Sequence, residues 1–206
     1  KRGAMAEELD RRAQILEAAF EEFAAKGFKG ATIKSIARTA GLQSPALIYW
    51  YFEDKGALFR EVLELRALKA PLLQAVSDPA PMMDLPPEEV LKRLGRAYFG
   101  FEQFDRRTIQ LVLGEVLRNQ ELAEMFVRIG PGRVFGFLNT YLERQIELGR
   151  LRPHDTRSSS RAFLGMLIPQ LMGRVFFPTL TEDGLTDEGH LETAIRIFLK
   201  GLKPER

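Results

Sequence analysis

Between Phe23 and Phe52 the chain carries four basic residues, Lys26, Lys29, Lys34 and Arg38, and no Asp or Glu. That window is +4, leaving −2 for the rest of a chain whose total is +2. An acid-free basic stretch in an otherwise balanced protein suits a surface that faces phosphate. Hydrogen-bonding and aromatic groups cluster at its end: Gln43, Ser44, Tyr49, Trp50 and Tyr51, with Lys55 just beyond. These residue types contact nucleic-acid backbone and base edges. Other chemistries lack their parts. Cysteine is absent, which removes thiolate nucleophiles, disulfides and zinc–thiolate sites and fits a reducing cytoplasm. His154 and His190 have no metal-ligand spacing and read as surface residues near helix ends. The carboxylate pairs Glu21–Glu22 and Glu88–Glu89 are sequence neighbours on helices and do not converge. No glycine-rich phosphate loop follows a strand. The chain is therefore expected to be no enzyme and to use no metal and no cofactor.

The elements that must position these groups read almost entirely as helix. Ile15, Leu16, Ala19, Phe20 and Phe23 recur at helical spacing over residues 11–26, and Gly27 stops the run. Thr32 is a good N-cap for a short helix through Thr39, with Ile33, Ile36 and Ala37 on its apolar face. Gly41 supplies a tight turn. Ser44-Pro45 pairs an N-cap with proline at the first helical position and opens a third short helix through Trp50. Asp54 caps a fourth helix carrying Leu58, Val62, Leu65 and Leu68, which Pro71 ends or kinks. The proline-rich residues 77–87 form the best linker candidate. Helical segments follow near 88–104, 106–118, 120–148, 156–177 and 187–202. No strand alternation, repeat or low-complexity tract is present. The fold class is all-α: an N-terminal three-helix helix-turn-helix domain over residues 1–55, then a larger helical domain over 56–206. Residues 1–10 form an arm, of which 1–4, ahead of Met5, read as a cloning remnant.

Two short helices around a glycine turn are a weak signal. The wording is specific. Thr32-Ile33-Lys34-Ser35-Ile36-Ala37, then Ala40-Gly41-Leu42, then Leu47-Ile48-Tyr49-Trp50-Tyr51-Phe52-Glu53-Asp54-Lys55-Gly56-Ala57-Leu58 closely resembles the tetracycline-repressor (TetR) family over about residues 11–63. Beyond that the likeness is one of architecture. One departure stands out: counted from Gly41, the tyrosine falls one position late, so the turn holds an extra residue around Gln43-Ser44. The resemblance implies a ligand-responsive repressor that grips double-stranded operator DNA as a homodimer, the alternatives being an activator or a helical interaction module. The expected DNA-facing set is Thr32, Lys34, Gln43, Ser44, Pro45, Ala46, Tyr49, Trp50, Tyr51 and Lys55. Thr32 offers its hydroxyl and nearby amides to a phosphate, and the resemblance suggests the same of Tyr49. Gln43, Ser44, Ala46 and Trp50 are placed to reach base edges or thymine methyls. A cation at Lys55 opposes the dipole of the helix it opens, which makes sense beside a phosphate. Phe52, Leu47 and Ile48 are expected in the small core.

The second domain is rich in aromatic residues and Met, most of them core. In the resembling family these helices also enclose a ligand cavity. The expected ligand set is Phe101, Phe104, Phe126, Arg133, Phe137, Met166, Gln170 and Arg174, which suits an aromatic or acyl-CoA-like effector. Arg128, Arg133 and Arg174 lie among apolar neighbours, where an arginine pairs with an acid, faces solvent or binds an anionic ligand. Small residues Ala162, Gly165 and Gly173 permit close helix approach, Pro169 interrupts that helix, and Leu191, Ala194, Ile195, Phe198 and Leu199 form a stripe. By resemblance, helices near 156–177 and 187–202 build the dimer interface. The longest apolar run, 162–173, is well short of the roughly 20 residues a membrane span needs, and no leader is evident. The expected location is the bacterial cytoplasm, at the nucleoid.

Overall fold

The computed structural model describes residues 2–100, 106–177, 179 and 184–204. All regular structure among them is helical. Ten α-helices run in chain order: α1 (Arg2–Gly30), α2 (Ile33–Thr39), α3 (Lys55–Leu68), α4 (Pro71–Ala75), α5 (Pro87–Phe99), α6 (Arg106–Val116), α7 (Gln120–Ile129), α8 (Pro131–Glu147), α9 (Thr156–Phe176) and α10 (Asp187–Leu202). Two 3-10 helices, Pro45–Trp50 and Ala80–Met82, lie between them.

The residues fall into two compact units, 1–68 with 107–126, and 69–106 with 127–206. Compactness thus groups the chain differently from a functional division after residue 55, because α6 and most of α7 pack with α1 and α3. Ile15, Phe20, Phe23, Ile36, Ile48, Leu58, Phe59 and Val62 share one buried core with Leu111, Val112, Leu122 and Met125. Each such side chain withdrawn from water contributes about 1.5–3 kcal/mol. Phe23 meets Phe59 edge-on at 4.8 Å, a favoured aromatic geometry. Pro71 begins α4 instead of kinking α3.

In the second unit α5 and α9 pack on α10, and α8 packs on α9. Gly95 of α5 is buried against Leu191 of α10, whose side chain occupies the space a Cβ would need. The proline-rich stretch is no loose linker. Met82 is buried, and α8 takes up the carbonyls that follow: Tyr141 Oη donates to Leu85 O at 2.8 Å and Gln145 Nε2 to Met83 O at 2.8 Å. Proline has no amide donor to satisfy, so capturing a few carbonyls lets this segment pack. The expected helix over 120–148 is two helices, divided at Gly130 and Pro131. A Cβ at Gly132 would press on the Val127 carbonyl, so glycine is required where α8 starts.

The apolar stripe of α10 faces its own chain: Leu191, Ala194, Ile195 and Phe198 are buried, and Phe163 of α9 meets Phe198 at 5.3 Å. On α9, Gly173 is buried while Ala162, Gly165, Ile168 and Pro169 are exposed, and the helix runs unbroken through Pro169. Neither histidine is a free surface group. Both are half-buried, His154 Nδ1 donating to Arg152 O at 2.8 Å and His190 Nε2 to Met166 O at 2.7 Å.

Candidate nucleic-acid interface

Thr32 caps α2 in extended backbone conformation. Its Oγ1 accepts from Ser35 N at 3.0 Å, and Ser35 Oγ accepts from Thr32 N at 3.1 Å, a reciprocal capping box. Ile36 and Ala37 turn inward while Thr32, Lys34 and Arg38 face solvent. Gly41, at φ 64°, reverses the chain, a conformation open to glycine at little cost. Ser44 Oγ then accepts from Ala46 N at 3.2 Å and starts the segment Pro45–Trp50, with proline in its first turn.

That segment is a 3-10 helix, where residues three apart eclipse one another. Ile48 is fully buried and Leu47 half-buried, which leaves Pro45, Ala46, Tyr49 and Trp50 outward with Gln43 beside them. Trp50 is 80% exposed, extreme for so large an apolar ring. Phe52 is buried, and Tyr51 is half-buried against the core.

Four expected contact residues are thus engaged within the fold. Thr32 and Ser44 use their hydroxyls as caps, Tyr51 packs, and Lys55 turns inward. Lys55 Nζ donates to Phe28 O at 2.8 Å and Ala31 O at 2.9 Å, and lies 4.5 Å from the centre of the Phe28 ring. The cation that opposes its own helix dipole thereby satisfies carbonyls at the end of α1, where positive charge is favoured. Its placement is explained without a phosphate. Glu22, which has no catalytic partner in Glu21, forms a structural link instead. Glu22 is nearly buried, accepts from Lys26 Nζ at 2.5 Å and from Thr39 Oγ1 at 2.8 Å, and ties α1 to α2. Hydrogen bonds from Lys26, then Ser35 and Thr39, outweigh its desolvation and hold the carboxyl down at about 2. The Glu22–Lys26 i,i+4 spacing was the visible signal.

Of the expected ligand residues, Phe126 belongs to the first unit and Arg133, Phe137, Met166, Gln170 and Arg174 to the second. Phe101 and Phe104 lie outside the described residues. Phe126 is half-buried against the first unit's core. In the second unit Phe137 is buried and stacked on Tyr141 at 5.9 Å, and Arg133, like Arg128, faces solvent. Gln170 and Arg174 do converge, at Asp187: Gln170 Nε2 donates to Asp187 Oδ1 at 3.2 Å, and Arg174 forms an ion pair with the same carboxylate. Met166, also on α9, accepts at its carbonyl from His190 of α10. Two surface hollows, one lined by Glu143, His154 and Arg157 and one by Lys92, Arg196 and Lys203, contain none of the expected ligand residues.

Residues 15–62 match the bacterial regulatory proteins of the tetR family, and residues 89–201 match the AefR-like transcriptional repressor C-terminal domain. The chain belongs to the TetR family. It is 26% identical over 166 residues to the uncharacterized HTH-type transcriptional regulator YhgD of Bacillus subtilis (strain 168), covering 78% of this chain and 82% of that protein. Among solved structures it resembles the flavonoid-responsive regulator FrrA, with TM-score 0.76 and 24% identity over 96% of this chain and 99% of that one. It also resembles FadR of Bacillus subtilis in complex with stearoyl-CoA, with TM-score 0.67 and 18% identity over 92% and 98% of the two chains. This TetR-family protein is a transcriptional regulator, and TetR regulators bind DNA and dimerise. Among the described residues, no helix is long and apolar enough to cross a membrane.

Proposed function

We propose that this chain is a ligand-responsive repressor whose homodimer holds a palindromic operator and releases it when an effector binds. The observation that carries the reading is the outward group Pro45, Ala46, Tyr49 and Trp50, flanked by exposed Lys34 in a window free of acids. A helical segment of this size fits the major groove. Thr32 and Lys34 hold phosphates, Tyr49 donates its hydroxyl to the backbone, and Gln43, Ala46 and Trp50 meet base edges and thymine methyls. Ser44, Tyr51 and Lys55 keep that face in place. The match to a repressor family favours repression over activation. In this reading the N-terminal 55 residues read DNA, the remainder senses and dimerises, the work is done in the cytoplasm, and no catalysis is involved.

The effector is an apolar or aromatic molecule, in keeping with neighbours that respond to a flavonoid and carry stearoyl-CoA. Phe101, Phe104, Phe126, Phe137 and Met166 supply apolar surface, and Arg133, Gln170 and Arg174 the polar end. Because Arg174 is paired with Asp187, an anionic ligand at this end competes with that carboxylate. Dimerisation uses the outward face of α9 at Ala162, Gly165 and Ile168, with Ile197 of α10, all exposed in the single chain.

The test is a gel shift with duplexes enriched from a random pool by the protein. Trp50→Ala is expected to cost on the order of tenfold in affinity for the enriched duplex while non-specific binding persists, since one base contact is worth about 1–3 kcal/mol. Lys34→Ala weakens both and lowers the salt slope by about 1. Retardation of all duplexes alike, or of none, overturns the reading. Native mass spectrometry of the purified protein reads the effector class from any co-purified mass.

A further inference from the structure

One turn at the end of α1, residues 27–31, is held from several sides. At Gly27 the chain takes φ 70° and ψ 171°, breaking α1 so that the next amide no longer points along the helix. That amide, Phe28 N–H, donates to Glu115 Oε1 of α6 at 3.0 Å, across 87 residues of sequence. A Cβ at Gly27 would lie 3.3 Å from the same oxygen, a tight contact at a φ that already favours glycine. Every other part of Phe28 is held too. Its carbonyl accepts from Lys55 Nζ, its ring centre lies 4.9 Å from that of Phe59, and Ala31 N closes the turn on Gly27 O at 3.2 Å. Thr32, the next residue, is the cap of α2. In sequence, residues 107–126, which include Glu115, are flanked on both sides by stretches of the second unit.

We propose that Glu115 is a positioning residue for DNA binding: by accepting the Phe28 amide it fixes the turn 27–31 and so sets the approach of Thr32 and α2 to the duplex. This rests on the DNA-reading role proposed above. Glutamine keeps an acceptor oxygen at the same reach, whereas alanine leaves the amide to water. Competition gel shifts with the duplex enriched by the wild-type protein are therefore run on Glu115→Ala and Glu115→Gln. The alanine variant is expected to bind on the order of tenfold more weakly, and the glutamine variant within threefold of wild type. Native-state hydrogen exchange supplies the second readout. The Phe28 amide is slow in the wild type and at least tenfold faster in Glu115→Ala, while α3 amides are unchanged. If Glu115→Ala does not fold, the wild-type Phe28 amide and the glutamine variant decide. A folded alanine variant that binds within twofold of wild type overturns the proposal, as does a fast Phe28 amide in the wild type or a glutamine variant as weak as alanine. If no duplex is enriched by the wild type, the DNA-reading role itself has failed, a result distinct from all of these.

Discussion

Glu22 shows how one carboxylate orders a small DNA-reading head. It accepts from Lys26 on its own helix and from Thr39 at the end of α2, while Ser35 ties it to the capping box at the other end. Its folded-state pKa of about 2 lies below the ordinary 4.5. The stabilisation is therefore fully present above about pH 4.5 and is lost as the pH falls towards 2. A carboxyl at the surface edge of the core is screened, which reduces the contribution to on the order of 1–2 kcal/mol. Urea unfolding at pH 7 and at pH 3, where roughly half of that contribution is gone, is expected to show a loss on the order of 1 kcal/mol in the wild type beyond that of Glu22→Gln. Equal losses in both proteins would mean that this carboxyl has no special part in acid stability.

At the level of elements, Gly95 sets how closely α5 approaches α10. Alanine improves helix propensity by about 1 kcal/mol, yet here its methyl falls on Leu191, and overpacking a core costs about 1–3 kcal/mol. Gly95→Ala is expected to lower thermal stability, whereas Gly136→Ala on α8, with open space around it, is expected to raise it or leave it unchanged. Adding Leu191→Ala should relieve part of the Gly95→Ala penalty, a coupling that a double-mutant cycle in calorimetry measures. A Gly95→Ala protein as stable as wild type would show that α5 and α10 slide apart freely. The elements themselves were largely legible in the sequence: Thr32, Gly41, Ser44-Pro45 and Asp54 each announce a cap or a turn by local chemistry, and each does that work here. What stayed hidden depends on partners distant in sequence. Nothing near Lys55 says that its ammonium reaches back to Phe28 and Ala31, and nothing near residues 77–87 says that Tyr141 and Gln145 capture their carbonyls. The outward turn of Trp50 was readable only by elimination: Ile48 and Phe52 take the core, and Leu47 is half-buried. The α10 stripe depends on distant partners too: an apolar face predicts burial, and its own α5 and α9 supply it.

For the whole molecule, the α10 stripe is covered within its own chain, and the dimer contact proposed above centres on the exposed face of α9. Ala162 and Gly165 let a second helix approach closely, and exposed Ile168 and Ile197 supply apolar area. An arginine at Gly165 fills that space with a long charged chain that a mate helix cannot accommodate. Gly165→Arg is therefore expected to run as a monomer in sedimentation or light scattering, with its helix content unchanged. The same charge at exposed Thr140 of α8 is expected to leave the dimer intact. A monomer offers one reading segment in place of two joined by symmetry, so its affinity for the enriched duplex should fall by about 10²-fold or more, while weak non-specific binding persists. The two readouts must move together. A monomeric Gly165→Arg that keeps full affinity would show that one head suffices and that symmetry adds nothing to recognition. A dimeric one would move the interface away from the small-residue face of α9, to other exposed apolar residues such as Phe177 or Leu117.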